Sequence, residues 1–227
     1  MALSVVQRAD DGQPDDSRST IVLTFGGAPT PGNVMVAIIS TGDFPSPGTM
    51  TPPSGWTTVD DLNQDFVGLH VYRRVVQSGD GASYTWTYDV TDNHHGVLWE
   101  VTEADVAAPI NAFGKAVSGS SLTLAPSATP TVDGCLALSV YSNDSGGISG
   151  VSAGWTLDVN QDVSHPADAA SRNALTSGLS AVSVTWTQNF GNACGAYIVL
   201  IEPAAAAAGG APPMRAINPG LLSLLTR

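Results

Sequence analysis

The sequence predicts an all-β protein: an antiparallel, jelly-roll-like β-sandwich built from two pseudo-repeats, followed by a C-terminal tail. Three observations carry this expectation. Short apolar runs follow one another from residue 20 to residue 202, separated by clusters of Gly, Pro, Asn, Asp and Ser. The chain repeats itself: GWTTVDDL at 55–62 returns as GWTLDV at 154–159, and SYTWTY at 83–88 returns as SVTWTQ at 183–188, with the tryptophans 99 and 100 residues apart. Matched segments in the same order mark an internal duplication. No segment before the tail combines helical periodicity with helix caps.

The elements follow in order. TIVLTF (20–25) alternates apolar and polar residues and ends at Gly26–Gly27, as a strand with one wet face does. NVMVAIIS (33–40) is continuously apolar, the pattern of a central strand or of one covered on both faces. LHVYRRVV (69–76), SYTWTY (83–88) and GVLWEVT (96–102) come next, separated by turn-like stretches such as SGDGA (78–82). The second pass brings SLTLAP (121–126), GCLALSVY (134–141), GWTLDV (154–159), ASRNALTS (170–177), SVTWTQ (183–188) and GAYIVLIE (195–202). The pseudo-repeats therefore span about 19–102 and 120–202. The stretch between them, 102–121, has no linker composition and contains the strand-like PINAFGKAV. One sandwich over 1–203 is expected, with two stacked sheets about 10 Å apart.

Composition excludes several function classes. Hydrophobic residues make up 43% of the 227, enough to fill a core. Eight Lys and Arg stand against 20 acids, a net charge of −12, with Lys115 the only lysine and Arg73–Arg74 the only basic doublet. Duplex nucleic acid is bound through clustered cations, so it is not an expected partner. The acidic balance repels anionic membrane surfaces, and no apolar run is long enough to span a bilayer. The N-terminal MALSVVQRADDGQPDD lacks the basic and apolar regions of a signal peptide.

No catalytic constellation stands out. There is no HExxH and no pair of suitably placed carboxylates. His94–His95 fall in DVTDNHHG and read as solvated turn residues; Glu100 and Glu202 read as solvated strand ends. Cys135 and Cys194, aligned with Val34 and His95 of the first copy, read as buried free thiols.

Three features are candidate sites. DLNQD (61–65) and DVNQD (158–162) follow the two Gly-Trp pairs, so Asp61, Asn63 and Asp65 match Asp158, Asn160 and Asp162 in type. Alternate oxygens in a loop suit Ca²⁺, although the central Gly and closing Glu of an EF-hand are missing; the other reading is an Asx-type turn. Trp56 and Trp155 serve either as packing or as a flat platform for a glycan. Beyond the Ala/Gly/Pro linker 204–213 lies a docking peptide, 214–227, whose Leu221, Leu222, Leu224 and Leu225 need a covering partner.

The succession PTPGNVMVAIIS, PPSGWTTV, YRRVVQSGDGASYTWT and LWEVTEADVAAPINA, then GWTLDV and VTWT, resembles a duplicated β-sandwich module of bacteriophage tail, fibre and minor virion proteins, also seen in some bacterial surface proteins. The resemblance covers about 18–203. It implies a non-catalytic structural protein on the virion exterior: a minor tail or fibre-associated protein, or a capsid decoration protein. Such a protein is attached through a terminal segment, contacts other virion proteins and forms a homo-oligomer. The missing signal fits assembly in the host cytoplasm. The alternative is a glycan-binding adhesion module that recognises host cell-surface polysaccharide.

Overall fold

The first half builds two sheets that share one strand. The computed structural model describes residues 3–12, 17–42, 48–64, 67–143, 147–160, 167–173, 176, 178–189 and 191–205. Its first seven strands are β1 (Ser4–Asp10), β2 (Ser17–Thr24), β3 (Val34–Thr41), β4 (Met50–Thr51), β5 (Thr57–Gln64), β6 (Val67–Val75) and β7 (Ser83–Thr102). β7 is 20 residues long. Its first part pairs with β2 and β4; from His94 onward it pairs with β3, and from Val97 also with β1. The result is an inner sheet ordered β1-β7-β3-β6-β5 and an outer one ordered β2-β7-β4, all antiparallel.

The second half repeats this plan. It comprises β8 (Ile110–Ser118), β9 (Thr123–Leu124), β10 (Ser127–Ala128), β11 (Leu136–Asn143), β12 (Ile148–Val151), β13 (Trp155–Asn160), β14 (Ala167–Asn173), β15 (Val182–Ser183), β16 (Trp186–Gln188) and β17 (Cys194–Ile201). Its inner sheet is ordered β8-β17-β11-β14-β13 and its outer one β9-β16-β12, with a small β10-β15 pair beside them. Strand for strand, this is the order of the first half. The central ladders agree too: Val34 faces Val101 as Leu136 faces Ile201.

Core membership places these sheets in four layers. Met35, Ala37 and Ile39 of β3 join Ile21, Leu23 and Trp86 between the two sheets of the first half. The alternate residues Val34, Val36 and Ile38 join Leu136, Leu138, Val140 and Val199 between the two inner sheets. Tyr141 and Ala196 pack with Leu124 and Trp186 on the far side of the second inner sheet. All eight residues of β3, β11 and β17 are buried. That is why their sequences are unbroken apolar runs: both faces of each strand are covered, so period-two alternation disappears.

The all-β class and the antiparallel pairing agree with the expectation. The layering differs, with four sheets stacked where two were expected, because each copy brings its own pair. A second correction concerns DVTDNHHG, read as a turn. It is the middle of β7: Asn93 and Asp92 face Ser17 and Arg18, then His94 and His95 face Thr41 and Ser40. One strand turns the corner from outer to inner sheet without a loop.

Every edge strand of the inner sheets is bulged. The extra residues are Val6 in β1, Val59 in β5, Asn111 in β8 and Asp158 in β13. Bulges twist an edge and interrupt its row of free backbone groups, which opposes edge-to-edge pairing. Those of β5 and β13 fall at matched places, between Thr58 and Asp60 and between Leu157 and Val159.

Candidate functional site

Polar side chains of the two halves meet at two seams, and a further buried group lies at the crossing of β7. At one seam Lys115 and Tyr197 are ladder neighbours on β8 and β17. Lys115 Nζ donates to Asp60 Oδ2 at 2.8 Å, and the Tyr197 hydroxyl donates to the same oxygen. Partial burial alone would raise the Asp60 pKa, but these two donors outweigh it and hold the carboxyl below its usual range. Burial, with Asp60 beside it, pushes the Tyr197 pKa up, so the phenol keeps its proton.

The other seam has the same parts. Arg8 and Trp99 are ladder neighbours on β1 and β7. Arg8 Nη1 donates to the Asp158 carbonyl and lies 3.7 Å from Asp158 Oδ1, while Trp99 Nε1 donates to Asp158 Oδ2 at 3.4 Å. Each half thus offers an aspartate from its last inner edge strand to a cation and an aromatic donor of the other half. Between the seams, the buried hydroxyls of Ser40 and Ser142 are 2.6 Å apart. Val5, Val6, Gln7, Arg8 and Asp158 also line a shallow groove of about 500 Å³ beside β1.

The residues singled out in the sequence are dispersed. Trp56 is 8% exposed and packs edge-on against Tyr84 and Trp86, with ring centroids 5.4 and 5.0 Å away, which leaves no open ring face. Trp155 is half-buried and donates Nε1 to the Ser183 carbonyl at 3.2 Å. Asp61 and Asn63 stand on strand β5, not in a loop, and Asp61 Oδ1 lies 2.9 Å from His70 Nδ1. Asp158 belongs to the seam. The ladders set Asp61 level with Asn160, not with Asp158, so the two Asp-x-Asn-x-Asp runs are out of structural register by two residues. Among the described residues no three His, Cys, Asp or Glu side chains form a group that holds a metal ion. Asp65, Asp162, Leu221, Leu222, Leu224 and Leu225 lie outside the described residues.

Sequence reasoning missed the buried charges. Glu100, read as a solvated strand end, is fully buried; its carboxylate accepts from Gln7 Nε2 at 2.6 Å, the Thr30 amide at 2.8 Å and Asn33 Nδ2 at 2.6 Å. It fastens the 26–33 loop to the inner sheet. Glu202 accepts from Asn111 Nδ2 at 2.8 Å. His94 and His95, read as solvated, are buried, as is His70. Neither His94 ring nitrogen has a hydrogen-bond partner, and burial pushes its pKa down to about 4. The available signal was that 83–95 contains no Pro or Gly, so nothing stops the strand before Gly96.

Cys135 and Cys194 are free and buried, and burial pushes the Cys135 thiol up to about 11. By register Cys194 corresponds to His94, not His95, since Asn143 faces Cys194 as Thr41 faces His94. No protein-family model, curated protein or solved structure matches the chain.

Proposed function

We propose that the chain is a non-catalytic structural protein of a bacteriophage virion, displayed on the particle exterior and attached through its C-terminal segment 214–227. The observation that carries this reading is the use the fold makes of its reactive side chains. Asp60, Asp158, Arg8 and Lys115 hold the halves together, and Glu100 fastens a loop. The thiols and His70, His94 and His95 are buried inside the body. What the first half presents outward is a hydroxyl-rich sheet with Asp89 at its margin. Thr85 and Thr87 flank the buried Trp86 and face Val22, Thr20 and Thr51 across the ladders. Such a body suits display better than turnover.

Expression of the full chain and of a chain ending at residue 213, each in a host producing particles, tests this. Purified virions are expected to contain the full chain by mass spectrometry and to lack the shortened one. A full chain absent from virions contradicts the virion role; a shortened chain that is incorporated normally contradicts the anchor.

A further inference from the structure

We propose that the crossing of β7 at His94–His95 is an acid-operated catch, which releases the outer sheet of the first half (β2, β4 and the first part of β7) and leaves the second half closed. The crossing joins the outer to the inner sheet, and its side chains are out of water. His94 is 0% exposed, with Tyr88 edge-on to its ring at 4.7 Å. Neither ring nitrogen makes a hydrogen bond, and the nearby Arg18 and Asn93 backbone carbonyls offset only part of the burial. Arg18, from β2, donates Nη2 to the His94 carbonyl at 2.9 Å, which ties the outer edge strand to this point.

The surrounding charges do not compensate a cation on His94. From the segment after β1, Asp11 pairs with Arg18 and lies 3.2 Å from His95 Nε2. From β5, Asp61 is engaged by His70 of β6. On β7 itself Asp92 precedes the pair and accepts from the Asn93 amide at 2.7 Å. β3 contributes the uncharged Thr41 opposite His94. A proton on His94 therefore adds buried positive charge beside a guanidinium, which folding tolerates only by opening the site.

The duplication supplies an internal control. Cys194 and Gly195 occupy the ladder positions of His94 and His95. Gln188 stands where Tyr88 does: it accepts from Asn143 Nδ2 at 3.0 Å and donates to the Ser121 and Asn192 carbonyls. None of these groups titrates between pH 4 and 7.

Hydrogen exchange of the full chain, compared at pH 7 and pH 4.5 after correction for intrinsic rates, tests the catch. Exchange in 17–24, 50–51 and 83–93 is expected to rise about tenfold or more at pH 4.5, with 123–124, 148–151 and 186–188 unchanged. His94→Cys, which installs the second half's own residue, should abolish the rise. Equal opening of both halves, no opening, or a rise that survives in His94→Cys overturns the proposal. If that variant does not fold, the comparison of the two halves in the natural chain decides alone.

Discussion

Trp86 and Trp186 sit at matched places in the two copies, yet their indole nitrogens meet different surroundings. Trp186 Nε1 donates to Ser139 Oγ at 3.0 Å, and that hydroxyl donates in turn to the Tyr197 carbonyl at 2.6 Å. Trp86 Nε1 has no partner; the ladder position of Ser139 is held in the first half by Ala37. Replacement by Phe removes similar packing at both sites but a hydrogen bond only at one. Trp186→Phe is therefore expected to lower unfolding free energy by about 1 kcal/mol more than Trp86→Phe, read from urea midpoints. His94 sets a second residue-scale expectation. Its folded pKa of about 4 lies below the ordinary 6.5, so the unfolded chain binds the extra proton between those values. Stability is thus full above pH 6.5 and falls as pH drops toward 4, by on the order of 2–3 kcal/mol for this group alone. A urea midpoint that stays level across that window contradicts the buried neutral histidine.

At the scale of elements, close approach of β8 and β10 rests on one glycine. A Cβ on Gly114 would stand 1.8 Å from the Ser127 carbonyl oxygen, a backbone atom that cannot rotate away. Gly114→Ala is expected to cost about 2–4 kcal/mol by forcing the two strands apart, whereas Gly150→Ala, with no atom within 4 Å, should change the melting temperature little. Equal effects at the two sites would show that β10 does not lie over β8. The elements also show what a sequence can disclose. β3 and β11 were legible because unbroken apolar runs bounded by turn residues mark central strands or strands covered on both faces, and these two are both. Thr-Trp-Thr was legible because alternation places Trp inside and Thr outside on any strand. The crossing of β7 was not. Asp, Asn and two His in a row look like a wet turn, and their burial depends on Asp11 and Arg18, which are distant in sequence. Glu100 was misread for the same reason: its three donors come from residues 7, 30 and 33. The repeated Asp-x-Asn-x-Asp misled differently, because likeness of letters hid a two-residue displacement that only the ladders reveal.

The whole molecule is a stack of four sheets in which neither half is complete without the other. Val34, Val36 and Ile38 would face water if the second half were removed, as would Leu138, Val140 and Val199 if the first were. The seams at Asp60 and Asp158 add direction to that burial. Each is a partly exposed ion pair of modest worth, but the two together fix which edge lies over which. The bulged edges and the net charge of −12 act at the same scale, since both oppose growth of the sheets into neighbouring molecules. The central claim, that the two copies pack face to face through their inner sheets, is tested most directly at Ser40 and Ser142, whose hydroxyls are 2.6 Å apart across the junction. In the Ser40→Cys, Ser142→Cys double variant, mild oxidation of the folded protein is expected to yield one intramolecular disulfide between these positions, identified by peptide mapping. Two thiols that remain unlinked in the folded protein, while each single variant folds normally, would contradict the face-to-face arrangement.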